Sequence, residues 1–271
     1  MNYILIDTSY LIFYRYYAII QWWKHAKKDE EVPYNPYENT EFVDKFTKTF
    51  LASVSTIKKK LKIHKEECCV IAGSDCPRRD IWRNNFYGKY KEQRYKDDVF
   101  MGGLFFKHVY SNNFLEQTGV KHILKFPKLE GDDVIAITKN FIRAKYPDSK
   151  IYIITNDHDY LQLLDENCKI FNLQFKNLSE NKKAFTDPYK NLFYKIVLGD
   201  KSDNIEPVFK KCGLKTVEKY YEDPELFQQA IEKESVQEKF DLNKKLISFS
   251  EIPEELVQSF IKKYQDIFND L

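Results

Sequence analysis

"YILID", residues 3–7, is an apolar run closed by an acid. A continuous apolar run without polar alternation reads as a strand covered on both faces, as strands of parallel sheets are. The design recurs in "CCVIAGSD" (68–75), which ends in Asp75, and in "KIYIITNDHD" (150–159), which delivers Asp157 and Asp159. Helical patterns cover roughly 40–61, 103–118 and 132–145, so short strands alternate with helices. That order predicts an α/β chain with a parallel sheet flanked by helices. Ligands of such sheets collect outside the carboxyl ends of the strands. The three acidic strand ends are therefore expected to face one crevice.

"LEGDDVIA" (129–136) adds Glu130, Asp132 and Asp133 at the start of a helix whose apolar face is Val134, Ile135, Ile137, Phe141 and Ile142. One acid there is ordinary capping, and Asp132 read alone is a cap. Three acids ask for more, and Gly131 is expected to let the backbone turn so that they line up. Asp200 and Asp203 of "GDKSDN" extend the set, although Asp203 before Asn204 also suits a turn. Two like charges about 4 Å apart repel by roughly 4 kcal/mol at an effective dielectric near 20. Too few basic residues are interleaved with these acids to offset that repulsion. Hard divalent metal is the economical compensation, Mg²⁺ first because it takes oxygen ligands and keeps several waters, with Mn²⁺ able to substitute.

The 271 residues are 43% hydrophobic and 31% charged, which suits a globular domain with a helical annex. A net charge of +2 rules out a uniformly basic coat for polyanions. No apolar stretch approaches the roughly 18 residues needed to span a bilayer, so no membrane partner is expected. Five cysteines without a C-x-x-C pair read as reduced thiols in an intracellular, cytoplasmic protein. Residues 76–102 are basic and aromatic without a clean apolar period, and read as a functional excursion from the sheet. After about 186 only helical patterns remain. The expected division is a catalytic domain at 1–185 and a C-terminal helical region at 186–271.

Five ordered segments resemble one family, the 5′-nucleases: phage and bacterial flap endonucleases, phage ribonuclease H and the exonuclease domain of bacterial DNA polymerase I. "YILIDTSYLIFYRYYA" is similar to the family's first strand and helix. "WRNNFYGKYKEQR" is similar to its F-R-x-x-x-Y-x-x-Y-K-x-x-R element. "LEGDDVIA", "TNDHDYLQLL" and "LGDKSDNI" resemble its remaining acidic motifs. The resemblance implies a PIN-like fold with a helical arch at about 76–102 and a helix–three-turn–helix beginning near Asp200.

It further implies that Asp7, Asp75, Glu130, Asp132 and Asp133 hold an inner metal, with Asp132 central to catalysis. Asp157, Asp159, Asp200 and Asp203 would belong to a second site. Arg83, Lys91 and Arg94 would grip the scissile phosphate region and the 5′ strand. Tyr87 and Tyr90 offer rings of the kind that stack on bases, but aromatics are abundant throughout and core packing is the favoured reading for most of them. Lys210, Lys211, Lys215, Thr216 and Lys219 would contact duplex phosphates, which carry no sequence information. Family members bind a monovalent cation, K⁺, on a hairpin reading G-V-x-G-[IV]-G-x-K-T. Here that stretch is "VFKKCGLKT" (208–216), which keeps only Gly213 of those glycines, with Glu206 inserted before Pro207.

The implied activity is metal-dependent hydrolysis of phosphodiesters at 5′ ends or flaps of branched DNA, RNA primers in RNA–DNA hybrids included, by a monomer working with replication and repair proteins. Two other readings are a PIN-fold ribonuclease, which would lack "GDKSDN", and a non-catalytic DNA junction-binding protein, which the intact acid set opposes. "QSFIKKYQDIF" (258–268) is loosely spaced like a clamp-binding peptide but suits an amphipathic closing helix better.

Overall fold

The computed structural model describes residues 1–92, 100–182 and 184–271. Strand β1 (Asn2–Asp7) leads into helix α1 (Thr8–Ala26), and α2 (Thr40–Leu51) and α3 (Ser53–Lys60) follow. Next come β2 (Cys68–Ser74), α4 (Gly103–Ser111), α5 (Phe114–Gln117), β3 (His122–Lys125), α6 (Gly131–Lys145), β4 (Lys150–Ile154) and β5 (Cys168–Phe171). The five strands form one parallel sheet in the order β3-β2-β1-β4-β5. The chain winds outward from β1 through β2 to β3, then returns to the other side of β1. Asp7 and Asp157 lie at that reversal, where open α/β sheets bind ligands.

The period-2 alternation of β1 assigns its side chains to two cores. Tyr3 and Leu5 pack with Val134, Ile135 and Ile142 of α6. Ile4 and Ile6 pack with Leu11, Ile12 and Tyr16 of α1, Phe42, Phe46 and Phe50 of α2, and Phe105 of α4. Coverage on both faces is why the strand carries no outward polar residue. The expected helix at 40–61 is divided at Ala52, and that at 103–118 at residues 112–113, where Asn113 adopts φ 52°.

Helices α7 (Pro188–Leu198), α8 (Leu214–Glu222) and α9 (Pro224–Glu234) share an apolar cluster of Val197, Phe209, Val217 and Ile231. They are followed by α10 (Gln237–Ile247), α11 (Glu254–Lys263) and α12 (Gln265–Asn269). The last two return to the sheet: Phe260 and Phe268 are fully buried in the cluster that holds Tyr3 and Leu5. The Tyr3 hydroxyl donates to the Leu271 carbonyl at 2.8 Å. The segment 258–268 is thus the closing helical stretch expected of it, with its apolar anchors in the core. Among the described residues no helix is long and apolar enough to cross a membrane, and all five cysteines are free thiols.

Candidate metal centre

A cavity of about 770 Å³ opens at the carboxyl ends of β1, β2 and β4, lined by Asp7, Asp75, Glu130, Asp132, Asp157 and Asp200 with Lys91 and Lys195. Asp7 caps α1: its Oδ1 accepts from the Tyr10 N–H at 2.9 Å, and its Oδ2 from the Thr155 hydroxyl at 3.1 Å. Burial, with Asp75 and Asp157 facing it, pushes the Asp7 carboxyl up to about 7. Asp75 accepts from the Ser9 hydroxyl and, at 2.7 Å, from the Gly131 N–H.

That last contact redefines Gly131. Its φ lies outside the left-handed region, so no unusual turn requires glycine. A Cβ at Gly131 would instead stand 3.1 Å from the Asp75 carboxylate, and one at Gly73 would stand 2.7 Å from Ile135 Cγ1 and 2.8 Å from the Gly131 carbonyl. The two glycines let β2 and the start of α6 touch, and this contact aims Asp75 into the crevice.

Glu130 is buried and accepts from Lys91 Nζ at 2.5 Å, Arg83 Nη1 at 2.9 Å and the Tyr90 hydroxyl at 3.1 Å. Burial opposes its charge, but Lys91 and Arg83 prevail and hold the carboxyl below its ordinary value. Asp132 is left with the opposite balance: burial, Glu130 and Asp133 push it well above the usual range. Asp133 is fully buried, with Oδ1 accepting from Arg83 Nη2 at 2.7 Å and Oδ2 from Arg83 Nη1 at 2.8 Å and Trp82 Nε1 at 3.0 Å.

Arg83 is 1% exposed, and its Nε donates to the Leu246 carbonyl at 2.7 Å, which corrects its expected grip on a substrate phosphate: it ties α6 to the end of α10. Asp133 has both oxygens engaged by Arg83, and one carboxylate oxygen each from Glu130, Asp132 and Asp133 falls within 4.8 Å of the others, a group that could hold a metal ion. Tyr90 is buried between the Glu130 and Asp203 carboxylates, at 3.1 and 3.4 Å, and packs there.

A second cluster lies beside the first. One carboxylate oxygen each from Asp159, Asp200 and Asp203 falls within 4.8 Å of the others. Asp157 opens a 3₁₀ turn at His158–Leu163 and accepts from the Asp159 N–H at 2.9 Å. Burial and Asp157 push Asp159 up to about 7 against the pull of Lys195. "GDKSDNI" closes on itself: Gly199 has φ 69°, and Asp200 and Ile205 exchange backbone hydrogen bonds at 2.8 and 2.7 Å. A Cβ at Gly199 would meet the Glu206 backbone at 2.5 Å, so glycine is required on both counts. Asp203 carries the Lys91 N–H on its carbonyl at 3.0 Å.

Lys195 escaped the sequence reading. From the last turn of α7 its Nζ lies 2.5 Å from Asp159 Oδ1 and 2.6 Å from Asp200 Oδ2. Burial opposes its charge, yet Asp159 and Asp200 hold the ammonium above its ordinary pKa. The available signal was a lysine within "NLFYKIVL", one turn ahead of the acidic loop. Lys210, Lys211, Lys215 and Lys219 are exposed along α8 and its lead-in, with Thr216 half-buried among them. Tyr87 is half-buried and donates to the Asn204 carbonyl at 3.1 Å. Arg94 lies outside the described residues, as does part of the expected arch.

Residues 2–190 match the family model described as 5′-3′ exonuclease, N-terminal resolvase-like domain. Over 215 residues the chain is 27% identical to a 5′-3′ exonuclease of Mycoplasmopsis pulmonis (strain UAB CTIP), which takes in 76% of this chain and 62% of that protein. The chain thus spans about three fifths of that relative's length. Among solved structures, T5 5′-exonuclease with bound divalent zinc ions superposes with a TM-score of 0.66 at 16% identity, covering 99% of this chain and 100% of that one. Bacteriophage T5 D15 flap endonuclease in a complex with DNA and metal ions gives a TM-score of 0.65 at 13% identity, with 99% and 100% covered. At such identities the likeness establishes the shared fold.

Proposed function

We propose, for a chain that belongs to the 5′-3′ exonuclease family, the activity of a structure-specific nuclease that hydrolyses phosphodiesters at 5′ ends or 5′ flaps of branched DNA with divalent metal. The observation that carries this reading is the convergence of Asp7, Asp75, Glu130, Asp132, Asp157 and Asp200 on one crevice from five separate segments. Burial first, and neighbouring carboxylates second, push Asp7 in that crevice and Asp159 beside it up to about 7. The donors are hard oxygens of the kind Mg²⁺ takes, and Mn²⁺ accepts the same set.

When bound, such ions polarise phosphoryl oxygens and make water a stronger nucleophile at neutral pH. The chain's own residues do the positioning. Thr155, Tyr10 and Tyr160 orient Asp7, Ser9 and the Gly131 N–H orient Asp75, and Arg83 anchors the start of α6 from below. Lys91 is the cation nearest the Glu130 side of the crevice and is positioned to offset charge that develops on a phosphoryl group. Lys210, Lys211, Lys215 and Lys219 suit phosphates of the downstream duplex, which supports duplex binding by the part of 186–271 around α8. The reading takes in an RNA primer paired to DNA and a monomer acting with replication proteins. It does not include K⁺ at the 208–216 hairpin, where only Gly213 of the expected glycines is present.

Product mapping on one oligonucleotide carrying a 5′ flap, a nick and an RNA primer, with Mg²⁺ and with EDTA, tests the proposal. Cleavage near the branch that requires metal and is lost in Asp132→Ala supports it. Metal-dependent cleavage of single-stranded RNA alone would favour the ribonuclease reading, and junction binding without cleavage the non-catalytic one.

A further inference from the structure

We propose that Lys195 is a built-in counter-ion of the outer carboxylate cluster, which a divalent ion has to displace in order to bind there. The inference rests on the metal reading above and concerns how the second ion is admitted. Asp200 Oδ1 is occupied by the Ser202 N–H and hydroxyl, each at 2.7 Å. The oxygen left to face the cluster is Oδ2, and Lys195 Nζ stands 2.6 Å from it. The same ammonium is 2.5 Å from Asp159 Oδ1. It therefore sits on oxygens a metal bridging Asp159, Asp200 and Asp203 would need. An ammonium and a divalent ion on shared oxygens repel strongly at such separations, so the two occupancies exclude each other.

The inner side differs. Among the described residues, the hydrogen bonds to Asp7 and Asp75 come from hydroxyls and backbone N–H groups, with no ammonium or guanidinium among the donors. Donors of that kind leave a net negative charge on Asp7 and Asp75 for an ion to neutralise, while Lys91, which lines the same crevice with Arg78, pairs with Glu130. The two clusters should then fill in order. The first ion enters the Asp7–Asp75 side at low concentration. The second waits until Lys195 swings off the outer carboxylates, a movement that a substrate phosphate in the crevice would favour by offering the ammonium another anion.

Titration of the metal-free full chain with Mn²⁺, without DNA, followed by calorimetry and electron paramagnetic resonance, tests this. Lys195→Met should tighten the second ion by about tenfold or more, since the competing charge is gone, and leave the first within about twofold. Lys195→Arg should keep the second ion as weak as in the parent chain. An unchanged or weaker second ion in Lys195→Met, with the first intact, overturns the proposal. Failure of the parent chain to bind any Mn²⁺ would instead overturn the metal reading. Should Lys195→Met not fold, Mn²⁺-soaked crystals of the parent chain decide. Manganese at the outer cluster with Lys195 Nζ withdrawn supports displacement, and manganese there with Nζ still bridging Asp159 and Asp200 refutes it.

Discussion

Arg83 meets Asp133 in a two-pronged ion pair with N–O distances of 2.7 and 2.8 Å, and neither side chain has meaningful access to solvent. The pair ties the segment after β2 to the first turn of α6, and the Arg83 Nε bond to Leu246 carries the tie on to α10.

Breaking a buried ion pair from one side leaves a desolvated charge and costs about 3–5 kcal/mol. Arg83→Ala should therefore lower stability by about that much in denaturant titrations of the metal-free chain. Arg83→Lys, which cannot span both oxygens, should recover only part of the loss. A fully stable Arg83→Ala protein with weakened DNA binding would return Arg83 to the substrate-gripping role.

The acids of the crevice predict an unusual pH dependence. Asp7 and Asp159 titrate near 7 in the folded chain against an ordinary 3.8, and burial is the first cause of both shifts. The folded state thus holds protons the unfolded chain has released. Stability from these groups is greatest at low pH and falls as pH rises from about 4 to about 7. Glu130 and Asp200, held below their ordinary values, contribute in the opposite sense at lower pH, losing stability as they protonate. In EDTA the melting temperature should decline between about pH 5 and pH 7. Mg²⁺ should reverse the decline, and its stabilising effect should grow with pH, because ligands bind deprotonated. A metal-free chain whose stability rises across that window would contradict the crevice electrostatics.

Asp7→Asn separates stability from activity at one position. The amide keeps the shape and can still accept the Tyr10 N–H, while one buried like charge disappears. The metal-free variant should melt higher than the parent chain above about pH 7, a stability gain of about 1 kcal/mol or more. Cleavage of a labelled 5′ flap in Mg²⁺ should drop by at least about a hundredfold, since a ligand is gone. A variant destabilised in EDTA and fully active in Mg²⁺ would remove Asp7 from the site.

Much of this was open to inspection in the chain itself, for identifiable reasons. "YILID", "CCVIAGSD" and "KIYIITNDHD" are central strands, and covered faces force them to be apolar throughout, so their acidic ends stand out. Strands β3 and β5 are four residues each at the sheet edges, too short and mixed to rise above their surroundings. The burial of Asp133 was legible, because it precedes Ile137 and Phe141 by four and eight positions and so shares the core stripe of α6. The burial of Arg83 had no such signal: its partners at 133 and 246 are distant in sequence and meet only in the fold.

Gly73 carries the last prediction, because its effect on the site passes entirely through backbone. A methyl group there would lie 2.7 Å from Ile135 Cγ1 and 2.8 Å from the Gly131 carbonyl, and the carbonyl cannot rotate away as a side chain could. Gly73→Ala must therefore push β2 and α6 apart. Overpacking of this kind costs about 1–3 kcal/mol. The separation also lengthens the 2.7 Å bond from the Gly131 N–H to Asp75, so Asp75 loses its aim although no ligand has been changed. Mn²⁺ affinity at the inner cluster and flap cleavage should fall together in Gly73→Ala, and adding Ile135→Ala, which removes the Cγ1 that the new methyl group meets, should not restore them. Rescue by Ile135→Ala would show that the Ile135 side chain, rather than the Gly131 carbonyl, sets the approach of β2 to α6.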